Sequence, residues 1–118
     1  MQYVLLIYDD EALWAEMGEE ERNRVMQEYF AYTNDLRGSG KYVDGNALQP
    51  TGTAKTVTAT GVTDGPFAET KEQLGGYYIV DVDTEDEAVE WARKIPSARY
   101  GRIEVRPVMV FDREGATA

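Results

Sequence analysis

Gly76-Tyr77-Tyr78-Ile79-Val80-Asp81-Val82 runs directly into Asp83-Thr84-Glu85-Asp86-Glu87, and this passage from strand to helix decides how the chain is read. The first segment joins two tyrosines to β-branched residues, a composition suited to an inner strand. The second is a helix start. Thr84 and Glu87 have the spacing of a capping box, and acids fill the first turn, where the helix dipole favours negative charge. Ala88, Trp91, Ala92 and Ile95 then mark one apolar face, and Pro96 stops the helix.

Working outward, Tyr3 to Tyr8 is a continuous apolar run, expected of a central strand that is covered on both faces or lies at a dimer seam. After an acidic connector, Glu19-Glu20-Glu21 opens a helix over roughly residues 19 to 38. Its apolar face is read from Val25, Met26, Tyr29, Phe30, Thr33 and Leu36, and Gly38 and Gly40 end it. Lys41 to Leu48 and Thr56 to Thr60 read as a hairpin with one solvated face. A last strand runs from Arg102 to about Phe111, with Ile103 and Val105 inward and Arg102, Glu104 and Arg106 on the other face.

The order is strand, helix, strand pair, strand, helix, strand. It predicts an α+β fold, a ferredoxin-like sandwich with an inserted hairpin, in which two helices cover one face of an antiparallel sheet. The other face then needs a cover, and a homodimer packed sheet against sheet supplies it. At 118 residues the chain is one domain, residues 1–118.

Composition narrows function by exclusion. The chain has no cysteine and no histidine, which removes disulfides, thiolate catalysis, the usual neutral-pH base and the commonest metal ligand. Carboxylates, lysine and tyrosine remain for proton transfer. A net charge of −10 argues against nucleic acid and against an anionic membrane surface. Asp9 to Glu21 holds seven acids and no base, whereas Arg93 to Arg113 holds six bases and two acids, so a local basic surface for a small anion stays open. The N-terminal apolar run is too short for a signal core, and a cytoplasmic location is expected.

The densest chemistry lies in Thr63-Asp64-Gly65-Pro66-Phe67-Ala68-Glu69-Thr70-Lys71-Glu72-Gln73-Leu74-Gly75-Gly76-Tyr77. Asp-Gly-Pro combines a short carboxylate, a residue free to take positive φ and a locked ring, so the turn is tightly specified, with Phe67 as its apolar anchor. Asp64 is the candidate catalytic residue, a general base or ligand hook; its structural alternative is an Asx-turn holding the bend. Glu69, Lys71 and Glu72 form a charged group suited to a polar ligand or to surface ion pairing. Gly75-Gly76 admits either a close-lying ligand or a β-bulge, and is not a phosphate-loop signature. Arg99 and Arg106, with Tyr100, suit a carboxylate or phosphate, or pair with the many acids. Tyr8, Tyr77 and Tyr78 line a pocket or pack the core. Asp81, Asp83 and Glu85 alternate as hard-cation ligands would, but capping already accounts for them, so no metal and no cofactor are assigned.

At Asp64-Gly65-Pro66-Phe67 the chain resembles the DGPF-domain proteins of the YCII-related family. The likeness continues through Ala68 to Tyr78, then Asp86-Glu87-Ala88 with Trp91-Ala92, and Ala98-Arg99-Tyr100-Gly101 with Glu104-Val105-Arg106-Pro107. It implies a dimeric α/β-barrel of ferredoxin-like subunits and no settled reaction. Many such proteins are bacterial and uncharacterised and are encoded beside extracytoplasmic-function sigma factors. Some relatives carry a His-Asp pair regarded as a catalytic dyad, which a chain without histidine lacks. Two functions follow. One is a dimeric small-molecule-binding protein with an unidentified enzymatic activity, using Asp64 with Tyr8, Phe67, Glu69, Lys71, Glu72, Arg99 and Arg106. The other is a regulatory module with a sigma-factor-linked protein partner.

Overall fold

A computed structural model describes residues 1–111. β1 (Gln2–Asp9) leads into a short α1 (Glu11–Glu16) and the long α2 (Glu19–Gly38). There follow β2 (Tyr42–Ala47), β3 (Lys55–Thr58), β4 (Gly61–Asp64), β5 (Gln73–Asp81), α3 (Glu85–Arg93) and β6 (Arg102–Pro107). One-turn 3₁₀ segments at Thr51–Thr53 and Pro96–Arg99 complete the chain. The main sheet has the order β2-β5-β1-β6 with every pairing antiparallel, and β3 and β4 form a separate two-stranded hairpin. The α+β fold on an antiparallel sheet is therefore present, with β3 and β4 rather than Lys41 to Leu48 and Thr56 to Thr60 as its inserted hairpin.

The alternation of β1 builds the core. Tyr3, Leu5 and Ile7 are 6%, 0% and 6% exposed, while Val4, Leu6 and Tyr8 between them are half-buried on the opposite face. Tyr78 and Val80 of β5 join the first set, with Ile103 and Val105 of β6 packed against it. The helices close this face through Tyr32, Leu36, Ala88, Ala92 and Ile95. Tyr32 donates to the Trp91 carbonyl at 2.9 Å and meets Tyr78 edge-on at 5.2 Å, so its buried hydroxyl is satisfied. The Cα extents, 45 × 43 × 18 Å, fit one helical layer on one sheet, and among the described residues no helix packs on the sheet's other face. The sheet is open, with β2 and β6 as its edges, and the expected barrel is not present in the chain.

Several sequence expectations need correction. The acidic connector contains α1, because the Asp10 side chain accepts from the Ala12 N–H at 2.9 Å and caps a run of good helix formers. The α2 stripe runs through Val25, Tyr32 and Leu36; Phe30 is 62% exposed and Met26 is exposed too, because the buried face follows Tyr32, which the assigned face omitted. Lys41 to Leu48 does not pair with Thr56 to Thr60. It pairs with β5, Asp44 opposite Ile79 and Ala47 opposite Gly76, and Thr56 and Val57 pair instead with Thr63 and Val62. The two-residue connection Ala59-Thr60 carries no Asn-Gly signal, so the turn was hidden inside an assigned strand. β6 ends at Pro107, where the ladder reaches Tyr3 and β1 has almost no residues left to pair. Phe67 is 88% exposed and anchors nothing within one chain.

The helix start at Thr84 is as read: its hydroxyl accepts from the Glu87 N–H at 3.2 Å. Gly65 takes φ +89°, the positive φ that the Asp-Gly-Pro turn requires. Among the described residues no helix is long and apolar enough to cross a membrane.

Candidate functional site

The strands converge chemically at one end of the sheet. Tyr8 pairs with Arg102 on one side and Leu74 on the other, and the register slips between Ile7 and Tyr8 so that Gly75 is skipped. This is the β-bulge alternative for Gly75-Gly76, and it re-aims the ends of the strands. The segment before β5 is braced against them. The Gln73 side-chain carbonyl accepts from the Glu11 N–H at 2.9 Å, while its amide donates to the Thr70 carbonyl at 2.5 Å. Glu11 in turn accepts from the Thr51 N–H and hydroxyl at 2.8 and 2.9 Å. Lys71 and Glu72 are thereby held beside Tyr8.

An open concavity of about 580 Å³ results, lined by Tyr8, Lys71, Glu72, Arg102, Ile103 and Glu104. Its size falls in the range of small-molecule sites. Arg102 lies 3.8 Å from Glu72, and Glu104 is paired with Arg106. Two cations, two carboxylates and a phenol thus face one space, an arrangement that can orient a polar molecule carrying both donors and acceptors.

Asp9, next along β1, turns to the helix side. Its Oδ2 accepts from the Ser97 hydroxyl at 2.9 Å, and Ser97 Oγ lies 2.5 Å from the Tyr29 hydroxyl. Ser97 is 5% exposed and is the one buried polar residue among those described. Burial raises the Asp9 pKa; the Ser97 hydrogen bond opposes that, and the negative charges of Glu11, Glu72 and Asp10 add to it. Burial also pushes the Tyr29 phenol up to about 12. Gly101 lets the chain pass over this point: a Cβ there would stand 2.0 Å from the Tyr8 carbonyl oxygen and 2.9 Å from the Asp9 Cα.

The YCII-related domain matches residues 1–112. An uncharacterised protein of Rhizobium meliloti is 39% identical over 117 residues, covering 94% of each chain. The chain belongs to the YCII-related domain family. The resemblance read from the sequence is borne out at this level. Among solved structures, the fold is similar to that of 5-chloro-2-hydroxyhydroquinone dehydrochlorinase from Burkholderia phenoliruptrix, in complex with 2,5-dihydroxybenzoquinone. The TM-score is 0.58 at 15% identity over 94% of this chain and 96% of that one, a likeness of fold alone.

In this YCII-related domain the residues singled out from sequence divide. Tyr8, Lys71 and Glu72 share the concavity, and Arg106 reaches it through Glu104. Arg99 lies on the helix side, bidentate to Glu28 at 2.7 and 2.8 Å. With Tyr32, Asp35 and Lys94 it borders a smaller concavity of about 350 Å³. Asp64 ends the inserted hairpin with its side chain 87% exposed and paired to Lys55, and Phe67 and Glu69 are also exposed. None of these three lines the larger concavity. Tyr78 is core, bonded to Thr33 at 2.7 Å, and Tyr77 lies on the open face beside Asn46. Among the described residues no group of three or more Asp or Glu is arranged to hold a metal.

Asp9, Ser97, Tyr29, Arg102 and Glu104 were not assigned to a site from sequence. A carboxylate closing an inner strand was the available signal for Asp9, because alternation continues the buried face of Ile7 into it. Ser97 gave no signal of its own.

Proposed function

We propose that this YCII-related protein is a homodimeric small-molecule-binding protein whose ligand occupies the concavity at Tyr8, Lys71, Glu72, Arg102 and Glu104, and that Asp9, which does not line this concavity but follows Tyr8 on β1 within the field of Glu72, is the group that exchanges a proton with the ligand. The observation that carries the reading is the convergence of these side chains, from three separate segments, at the end of the sheet that also holds a half-buried carboxylate of raised pKa. In a chain without histidine, such a carboxylate is the side chain best suited to acid–base work. The open sheet face, with Val4, Leu6, Tyr77 and Ile79 half-buried, supports the dimer, and two such faces packed together would make the α/β-barrel. Asp64 and Arg99, whose charges already have partners in Lys55 and Glu28, are assigned to those ion pairs rather than to the ligand.

The dehydrochlorinase of similar fold was solved with 2,5-dihydroxybenzoquinone, a planar molecule with both acceptors and ionisable hydroxyls, and the lining residues suit that class. Calorimetric titration with this compound, and then with other small hydroxylated rings and carboxylates, tests the reading. Saturable binding that weakens at least tenfold in Arg102→Ala is expected, the equivalent of about 1.4 kcal/mol. Binding that is unchanged in Arg102→Ala and Lys71→Ala alike, or none across the set, would sink it.

A further inference from the structure

The Ser97 hydroxyl has one proton to give. It stands 2.9 Å from Asp9 Oδ2, and an ionised carboxylate can only accept, so that proton points at Asp9. The Tyr29 hydroxyl, 2.5 Å from the same serine oxygen, must then be the donor of the second bond. The direction is therefore Tyr29 to Ser97 to Asp9, across three elements: α2, the 3₁₀ turn Pro96–Arg99 and the end of β1. The other carboxylate oxygen, Oδ1, lies over the bulge, 3.5 Å from where a Cβ of Gly75 would stand.

We propose that Tyr29 and Ser97 are positioning residues, a directional hydrogen-bond chain that holds Oδ2 of Asp9 and leaves Oδ1 as the oxygen that takes up and releases the proton. The assignment rests on the reading of Asp9 given above. The chemistry balances simply. A ligand O–H gives its proton to Oδ1, the electron pair of the broken bond stays on the ligand oxygen, and Asp9 becomes neutral. With the proton on Oδ1, Oδ2 is a carbonyl-type oxygen and still accepts from Ser97, so neither hydroxyl has to turn over. The chain serves both protonation states in one geometry, which avoids reorganisation during transfer.

Ser97 acts on Asp9 against a field of like charge. The groups around the carboxylate are Asp10 and Glu11 at the entrance of α1, Glu72 from the segment before β5, and Tyr29 from α2. Removing the Ser97 hydroxyl removes the hydrogen bond that favours the ionised form and leaves that field in place. A serine kept only for packing would tolerate the loss of its oxygen with no effect on Asp9.

The test is a carbon-13 carboxyl NMR titration of Asp9 in the unliganded protein. The midpoint should rise in Ser97→Ala, return towards the wild-type value in Ser97→Thr, and rise by less in Tyr29→Phe, which weakens the chain without cutting it. An unmoved midpoint in a folded Ser97→Ala protein, judged by near-ultraviolet circular dichroism, overturns the proposal. If Ser97→Ala does not fold, an unmoved midpoint in Tyr29→Phe does the same. Calorimetry with 2,5-dihydroxybenzoquinone separates the two readings. Failure to bind it, or others of its class, counts against the ligand site, whereas the titration in the unliganded protein judges the chain alone.

Discussion

On the covered face of the sheet, Tyr3, Leu5 and Ile7 pack against two helices; one residue along the same strand, Val4, Leu6 and Tyr8 face outward with no helix over them. Both sets come from one apolar run. The difference lies in what each face ends in. The covered face ends in Asp9, tied to Ser97 and Tyr29 beneath the helices, and the open face ends in Tyr8, at the concavity with Arg102 and Glu72. A single strand therefore supplies a core face, an open face and the neighbouring Tyr8 and Asp9 that end them, and pleating alone sorts them.

The comparison breaks most readily on its covered side. Leu5→Ala removes a side chain with 0% exposure and should cost about 2–5 kcal/mol in chemical denaturation. Leu6→Ala should cost clearly less in a dilute monomer, and equal losses would mean that the open face is already covered. Gly101→Ala tests the point where both faces end. Its Cβ would overlap the Tyr8 carbonyl oxygen at 2.0 Å, so the backbone must shift at a cost of about 1–3 kcal/mol, with a displaced Asp9 carboxyl resonance. Leu6→Asp should leave the subunit folded but abolish association in sedimentation equilibrium, because a charge cannot be buried unpaired at the centre of an apolar contact. A dimer that survives this change is built on another surface.

Asp9 provides a finer test. Its pKa is raised in the folded chain, so the folded state holds this proton more tightly than the unfolded state. Its contribution favours folding below the ordinary aspartate range and is lost as pH rises through the folded value. Asp9→Asn removes that dependence, so the variant should gain on wild type in denaturant midpoint as pH rises from the ordinary aspartate range through the higher folded value, and then hold a constant difference. A wild type that gains on the variant over this range would contradict the burial of the carboxylate. The smallest effect is expected at Asp64→Asn, where an exposed pair with Lys55 is worth under about 0.5 kcal/mol in thermal denaturation.

Much of the framework was legible because it rests on local chemistry. The Thr84 cap, the stop at Pro96, the positive φ of Gly65 and the alternation of Ile103 and Val105 against Arg102 and Glu104 each depend on a few neighbouring residues. The errors occurred where one segment had two plausible partners. Lys41 to Leu48 suits an edge strand or half of a hairpin equally well, and only the order of the sheet chose β5. Phe30 and Tyr32 both suit the inner face of α2, and the rotation of the helix on the sheet buried Tyr32.

The site shows the same division. Tyr8, Lys71 and Glu72 could be picked out from a bulge-forming glycine pair beside a charged segment and a strand-ending tyrosine. Asp9, Tyr29 and Ser97 lie up to 88 positions apart, and no periodicity links them. The amino-acid sequence by itself determined the two long helices and the four strands of the main sheet, the inward alternation of β6, the family and the absence of histidine and cysteine chemistry, since these follow from residue type and short spacing. Tertiary structure alone decided which carboxylate was buried, which serine reached it and which charges met in one concavity, because burial and hydrogen bonding are set by whichever distant segments the fold brings together.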